Sequence, residues 1–281
     1  MPFSLNINHK EMFFSKPIIM GILNVTPDSF YDGGKYHSEK DLLIYVEKMI
    51  TEGVTIIDIG AISTRPGTEE ISEKQELEKL LQTLNLIVAH FPDTIISVDT
   101  YRSKIAKTII ENGAHIINDI SGGTFDDNMF NVVAEYHLPY IMMHIQGTPK
   151  YMQENPRYGN VVEEIKQFFK EQIVKLNKLG ITKNIIIDPG FGFGKTLEHN
   201  YKLLRHFRSF EKMGYPVLAG VSRKSMINKV LKTNPQKALN GTTVLNTIAL
   251  LNGANILRVH DVKEAMEAIN LVEFYNHSNN E

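Results

Sequence analysis

The sequence predicts the α/β class, and within it a (β/α)8 barrel, on three observations. Short runs rich in Ile, Val and Met alternate with segments of helical periodicity about eight times along the chain. A length of 281 residues suits one barrel of that kind. The rival, a doubly wound open sheet, lacks its usual sign, because no Gly-x-Gly-x-x-Gly turn follows the first main strand. No linker interrupts the alternation, so a single domain over residues 1–281 is expected.

The elements follow in order. Within residues 1–16, the β-like stretch Phe3 to Asn8 precedes the first unit and is expected to form a small hairpin covering the barrel bottom. The first barrel strand is Pro17 to Leu23, ending in Asn24; Glu39 to Thr51 has helical periodicity. Thr55 to Gly60 is the second strand, and a long amphipathic helix starts at about Ser72, with Ser72 and Gln75 spaced as a capping box. Thr94 to Val98 is the third strand, ending in Asp99. Arg102 to Asn112 is helical, with Gly113 as its stop. Ile116-Ile117 is the fourth, ending at Asn118-Asp119, followed by a helix over Asp126 to Tyr136. Pro139 to His144 is the fifth; a polar loop, Gln146 to Asn160, leads into a helix ending at Gly180. Ile185-Ile186-Ile187 is the sixth, a β-branched run buried on both faces, and a helix starts near Leu197. Pro216 to Gly220 is the seventh, followed by helices over Ser225 to Leu231 and Asn240 to Leu251. Asn255 to His260 is the eighth, and Val262 to Phe274 closes the fold. The polar tail, residues 276–281, is expected to fray.

Composition narrows the partners. A hydrophobic content of 42% with 22% charged residues is ordinary for a globular protein. A net charge of -2 gives no reason to expect nucleic acid or an anionic membrane. The absence of cysteine excludes disulfides and Cys-ligated zinc or iron–sulfur sites, and fits a reducing compartment. Met1 to Lys16 hold no continuous apolar core of a secretory signal, and no apolar run is long enough to span a bilayer. A cytoplasmic location is therefore expected.

In such a barrel the C-terminal ends of the strands carry the chemistry. Those ends are Asn24, Asp99, Asn118, Asp188, Ser222 with Lys224, and Arg258 with His260. One polar strand end is as readily a helix cap; almost every unit sending one to the same rim points to a site. The most organised stretch is Asp188-Pro189-Gly190-Phe191-Gly192-Phe193-Gly194-Lys195. Its glycines let backbone approach a ligand, and its two phenylalanines are expected to offer flat apolar surface. Asp99, Asn118 and Asp188 supply two carboxylates and an amide, a set that grips the N–H-rich edge of a guanidine-like heterocycle. In a dry pocket each charge-assisted bond contributes roughly 1.5–3 kcal/mol. Thr64, Arg65, Arg258 and His260 together suit an anion, naturally a phosphate. A Schiff-base lysine at Lys224, its pKa lowered by Arg223, is a weaker alternative.

Five motifs carry a resemblance along nearly the whole chain: Gly21 to Gly34, Ser63-Thr64-Arg65-Pro66-Gly67, Asp188 to Lys195, Gly220-Val221-Ser222-Arg223-Lys224-Ser225, and Arg258-Val259-His260-Asp261. Together they resemble the dihydropteroate synthases, TIM-barrel transferases of folate biosynthesis and the target of sulfonamides. The resemblance implies that 7,8-dihydropterin-6-ylmethyl diphosphate and p-aminobenzoate are joined to 7,8-dihydropteroate, with release of diphosphate. It assigns Asp99, Asn118, Asp188 and Lys224 to the pterin ring, with Met142, Phe193 and Gly220 as pocket walls. It places Thr64, Arg65, Arg258 and His260 at the diphosphate, Asn24 at Mg²⁺, and Pro66, Phe193 and Ser222 at p-aminobenzoate. Phe30 and Asp32 belong to a first loop that orders over the site, and Lys224, Asp32, Phe30 and Arg258 are the expected catalytic group. Lys195 has the least support and is expected to face solvent. Gly60-Ala61-Ile62-Ser63 departs from the Gly-Gly of many relatives and touches only the approach to the second loop. A homodimer through the late helices is expected from the family. A pterin-binding methyltransferase barrel shares the trio but needs no diphosphate site, and a non-catalytic relative would have lost the early loops.

Overall fold

The computed structural model describes residues 2–25, 38–62 and 71–278. Two short strands, β1 (Phe3–Ile7) and β2 (Lys10–Phe14), pair antiparallel. Asn8 and His9 join them with φ of 50° and 60°, the left-handed pair that a tight type I′ turn requires. The expected hairpin therefore forms, and it sits under the barrel. Leu5 and Ile7 are buried against Ile18, Ile56, Ile95 and Ile186 near the N-terminal ends of the barrel strands. Asn184, just before the sixth barrel strand, accepts from Asn6 N at 2.8 Å and donates to Asn6 O at 3.2 Å.

The barrel strands are β3 (Ile18–Asn24), β4 (Ile56–Gly60), β5 (Ile95–Asp99), β6 (Ile116–Asp119), β7 (Tyr140–Met143), β8 (Ile185–Asp188), β9 (Leu218–Ala219) and β10 (Ile256–Val259). They are parallel, in the order β8-β7-β6-β5-β4-β3-β10-β9. A single parallel bridge, Ile187 to Val217, joins the two ends, with Ile187 N donating to Pro216 O at 3.0 Å. The barrel is thus nearly closed, the architecture the sequence predicts. The seventh barrel strand is shorter than expected, two residues rather than five. Pro216 can accept but has no N–H to extend the ladder.

The helices between them are α1 (Glu39–Thr51), α2 (Glu73–His90), α3 (Ser103–Glu111), α4 (Met129–Tyr136), α5 (Val161–Lys178), α6 (Leu197–Arg205), α7 (Arg208–Glu211), α8 (Ser225–Leu231), α9 (Leu239–Leu251) and α10 (Val262–His277). Ser72 and Gln75 form the capping box that their spacing predicts. α4 starts three residues later than expected, because the Asp126 carboxylate is engaged by Ser103 N at 2.7 Å and Asn128 N at 3.0 Å. The closing helix runs past Phe274 to His277, so Asn276 and His277 are helical rather than frayed. No helix among the described residues is long and apolar enough to cross a membrane.

The core has two parts. Outward-facing strand residues such as Ile57, Val98 and Ile187 pack against the helices, and inward-facing Ile56, Ile95, Ile116, Ile141 and Ile186 fill the lower barrel with the hairpin. The upper barrel is polar, and the site lies there.

Candidate active site at the barrel mouth

Successive strand residues alternate between the two faces, so register decides which side chains enter the mouth. Asn24, Gly60, Asp99 and Asn118 are in register across β3 to β6, and Met143 is in register with Asp188 across β7 and β8. All share the parity of the inward isoleucines. Asp58 and Ser97 form an inward pair one level lower.

Asp58 is the functional residue that sequence reasoning missed. It is fully buried, and its Oδ2 accepts from Arg258 Nε at 2.7 Å and from Asn118 Nδ2 at 3.0 Å. Arg258 Nη2 also lies 2.7 Å from that oxygen and donates to Asp99 Oδ2 at 2.9 Å. Arg258 thus ties Asp58 to Asp99, and Asp58 orients both Arg258 and Asn118. The signal was present: a lone charge inside Ile56-Ile57-Asp58-Ile59, with the parity of Ile56.

Across the mouth, Asp188 accepts from Gly190 N at 2.8 Å and faces Lys224. A Cβ at Gly220 would lie 3.7 Å from Lys224 Nζ and 3.9 Å from Asp188 Oδ2, so Gly220 leaves that space open between them. Lys224 donates to Phe191 O and lies 4.7 Å from the Phe193 ring centroid, a cation–π contact. Ser222 Oγ and His260 Nδ1 are 3.0 Å apart, and His260 N donates to Ser222 Oγ at 3.2 Å. Asn24 is exposed at the rim, with its Oδ1 3.4 Å from where a Gly60 Cβ would stand.

Burial dominates the electrostatics. It pushes Asp99 up to about 7 against the pull of Arg258, with Asp58 adding to the rise. Burial also raises Asp188, against the Lys224 charge and the Gly190 N–H. Lys224 is held down to about 8 by burial, with Arg258 adding to the fall and Asp188 opposing it. The mouth therefore has paired ionisable groups whose charges are poorly hydrated and ready for a complementary ligand.

Four expectations change. Met142 is not a pocket wall: it is in register with Ile187 on the outer face and packs toward the helices, whereas Met143 points inward. Phe191 offers no surface to the site, being fully buried and stacked on Phe207 with ring centroids 5.9 Å apart. Arg223 does not act on Lys224, because its guanidinium is held by Asp261 at 2.9 and 2.7 Å. Lys195 does not face solvent; it is 3% exposed. Phe30, Asp32, Thr64, Arg65 and Pro66 lie outside the described residues.

The chain is similar to known proteins over most of its length. The family described as pterin binding enzyme matches residues 20–260. The dihydropteroate synthase of Escherichia coli strain K12 is 45% identical over 260 residues, covering 92% of each chain. A Yersinia pestis dihydropteroate synthase solved with a sulfonamide drug superposes with a TM-score of 0.92 at 40% identity, over 98% of this chain and 100% of that one. A Xanthomonas albilineans dihydropteroate synthase solved with 4-aminobenzoic acid gives 0.88 at 32% identity, over 97% and 98%.

Proposed function

The chain belongs to the pterin-binding enzymes, among the dihydropteroate synthases, which are transferases, and from that premise we propose how it works. It joins 7,8-dihydropterin-6-ylmethyl diphosphate to p-aminobenzoate. The observation that carries this reading is the convergence of Asp99, Asn118, Asp188, Lys224 and Arg258 at one barrel mouth.

The pterin's N–H edge meets the Asp99, Asn118 and Asp188 acceptors, and Lys224 donates to the ring's acceptor side. Phe193 stands between the ring and the p-aminobenzoate entrance, which Ser222 and Pro66 line. Arg258, His260, Thr64 and Arg65 receive the diphosphate. The exocyclic C–O bond breaks with its electron pair leaving on the diphosphate, and the pterin delocalises the cation that remains. The arylamine nitrogen then attacks that carbon and releases its proton to solvent. An arylamine is neutral at pH 7, so no strong base is needed. Catalysis rests on positioning and charge stabilisation. Asp32 supplies a carboxylate that would stabilise this cation.

Asn24 fits Mg²⁺ as a shared ligand. Its exposed amide oxygen is a hard donor at the rim, and Mg²⁺ takes few protein ligands when substrate phosphates supply the rest. Bound there, the ion would neutralise charge on the leaving diphosphate. Sulfonamides are expected to compete at the p-aminobenzoate entrance.

A second copy of this chain is expected on the α9–α10 face, where Leu251, Leu271 and Tyr275 line one groove. The deciding assay mixes both substrates with the enzyme and Mg²⁺ and follows diphosphate. Release that depends on p-aminobenzoate supports the reading; pterin binding without release would leave a binding role instead.

A further inference from the structure

The buried Lys195 has no part in the chemistry just described, yet it is built into the loop that carries Phe193. Its Nζ donates to Phe193 O at 2.8 Å and to His144 O at 3.2 Å, and lies 3.2 Å from His144 Nδ1. Burial pushes the Lys195 amine well below its ordinary range, and either form satisfies the three contacts: an ammonium with three donors, or a neutral amine with two donors and a lone pair for His144 Nδ1–H. Burial, with the Lys195 charge beside it, holds His144 neutral down to a pKa of about 2. Among the described residues no carboxylate is within ion-pair distance of Lys195.

A buried amine is a costly way to fill space, since a methionine would do so without desolvating a polar group. What the amine adds is direction. It links the carbonyl of Phe193, after β8, to the carbonyl and ring of His144, after β7. The backbones are already pressed together there. A Cβ at Gly190 would lie 2.0 Å from His144 O, and one at Gly194 would lie 2.4 Å from Gln146 O. Tyr158 adds a parallel tie, donating to Gly194 O at 2.9 Å. One residue from that seam, the Phe193 ring meets the Lys224 ammonium.

We propose that Lys195 is a positioning residue: it fastens the main chain at Phe193 to His144 and so holds the Phe193 ring against Lys224, beside the p-aminobenzoate entrance. The catalytic consequence rests on the pocket assignment proposed above; the mechanical one does not. Lys195→Met keeps the volume and removes all three bonds. Misplacement of about 1 Å at a reacting site lowers turnover by as much as roughly 100-fold. The expected result is therefore a roughly 10- to 100-fold loss in kcat/KM for p-aminobenzoate. Pterin affinity by calorimetry is expected to fall far less than kcat/KM for p-aminobenzoate, because Lys195 makes its hydrogen bonds to Phe193 and His144 and to none of the ring's anchors.

The chain has no tryptophan, so Phe193→Trp supplies a single reporter of the ring. In that background Lys195→Met is expected to lower tryptophan anisotropy and shift its emission to the red, well below the melting temperature. Unchanged anisotropy and emission would overturn the proposal, and so would equal losses in pterin and p-aminobenzoate parameters. If Lys195→Met does not fold, Lys195→Leu, which also lacks all three bonds, carries the same test. Should wild-type protein release no diphosphate, the functional reading fails, while the fluorescence arm still decides whether Lys195 holds Phe193.

Discussion

Asp188 and Lys224 face each other across the mouth, and the charge of each shifts how the other responds to pH. Burial lowers Lys224 to about 8, so its ammonium is present below that value and lost above it. Pterin affinity is therefore expected to decline as pH rises through about 8, by up to roughly tenfold per pH unit. Calorimetry across that range checks it, and Lys224→Arg should move the decline to higher pH. Asp188→Ala removes a charge-assisted acceptor and leaves Lys224 without its facing carboxylate. It should weaken pterin binding by roughly 10- to 150-fold, since such bonds contribute about 1.5–3 kcal/mol each. Unchanged affinity would remove the anchoring role. Arg258 is held by both Asp58 and Asp99, so Asp58→Asn is expected to disturb it without touching substrate. Diphosphate-dependent affinity should fall more than affinity for a bare pterin.

Two elements determine how the mouth is supported. The loop after β8 turns at Gly190, where φ is 72° and a Cβ would collide with His144 O. Gly190→Ala must therefore shift backbone, at a cost of at least about 1–3 kcal/mol. Thermal unfolding would measure that loss, and a weaker pterin affinity should accompany it because Asp188 accepts from Gly190 N. At the opposite end, the β1–β2 hairpin closes the barrel floor through Leu5, which is 1% exposed. Leu5→Ala should destabilise the fold by about 2–5 kcal/mol with unchanged substrate parameters, since the floor lies far below the polar layer.

On the scale of the whole molecule, stability and assembly carry their own tests. The native pKa of Asp99, about 7, lies above its ordinary value of 3.8, so between those values the folded state binds the extra proton. By linkage this carboxyl subtracts stability as pH rises through that window. Asp99→Asn should make the slope of unfolding free energy against pH less negative there, as read by denaturant titration. The α10 helix presents Leu271 at 73% exposure and Phe274 at 79%, continuous with the groove that Leu251 and Tyr275 line. We propose that a second copy of this chain covers this apolar surface. Leu271→Asp with Phe274→Asp is expected to shift a dimer to monomer in sedimentation velocity; a wild-type protein that sediments as a monomer would refute the assignment.

The strand–helix alternation, the capping box at Ser72 and the polar strand ends were legible in the sequence because each depends on residues close together along the chain. Asn24, Asp99, Asn118, Asp188 and Arg258 share one rim because parallel strands must all end on the same side. The tertiary structure alone decided the rest. Met142 and Met143 are adjacent in sequence, and only their register with Ile187 and Asp188 shows which one faces the mouth. Asp58 is a mid-strand residue until Arg258, 200 positions away, closes on it. Lys195 reads as a solvent-facing lysine until β7 and β8 pack side by side and bring the His144 carbonyl to its amine. Local chemistry is written in neighbouring residues, whereas face, burial and partner are fixed by chain segments that meet only when the barrel forms.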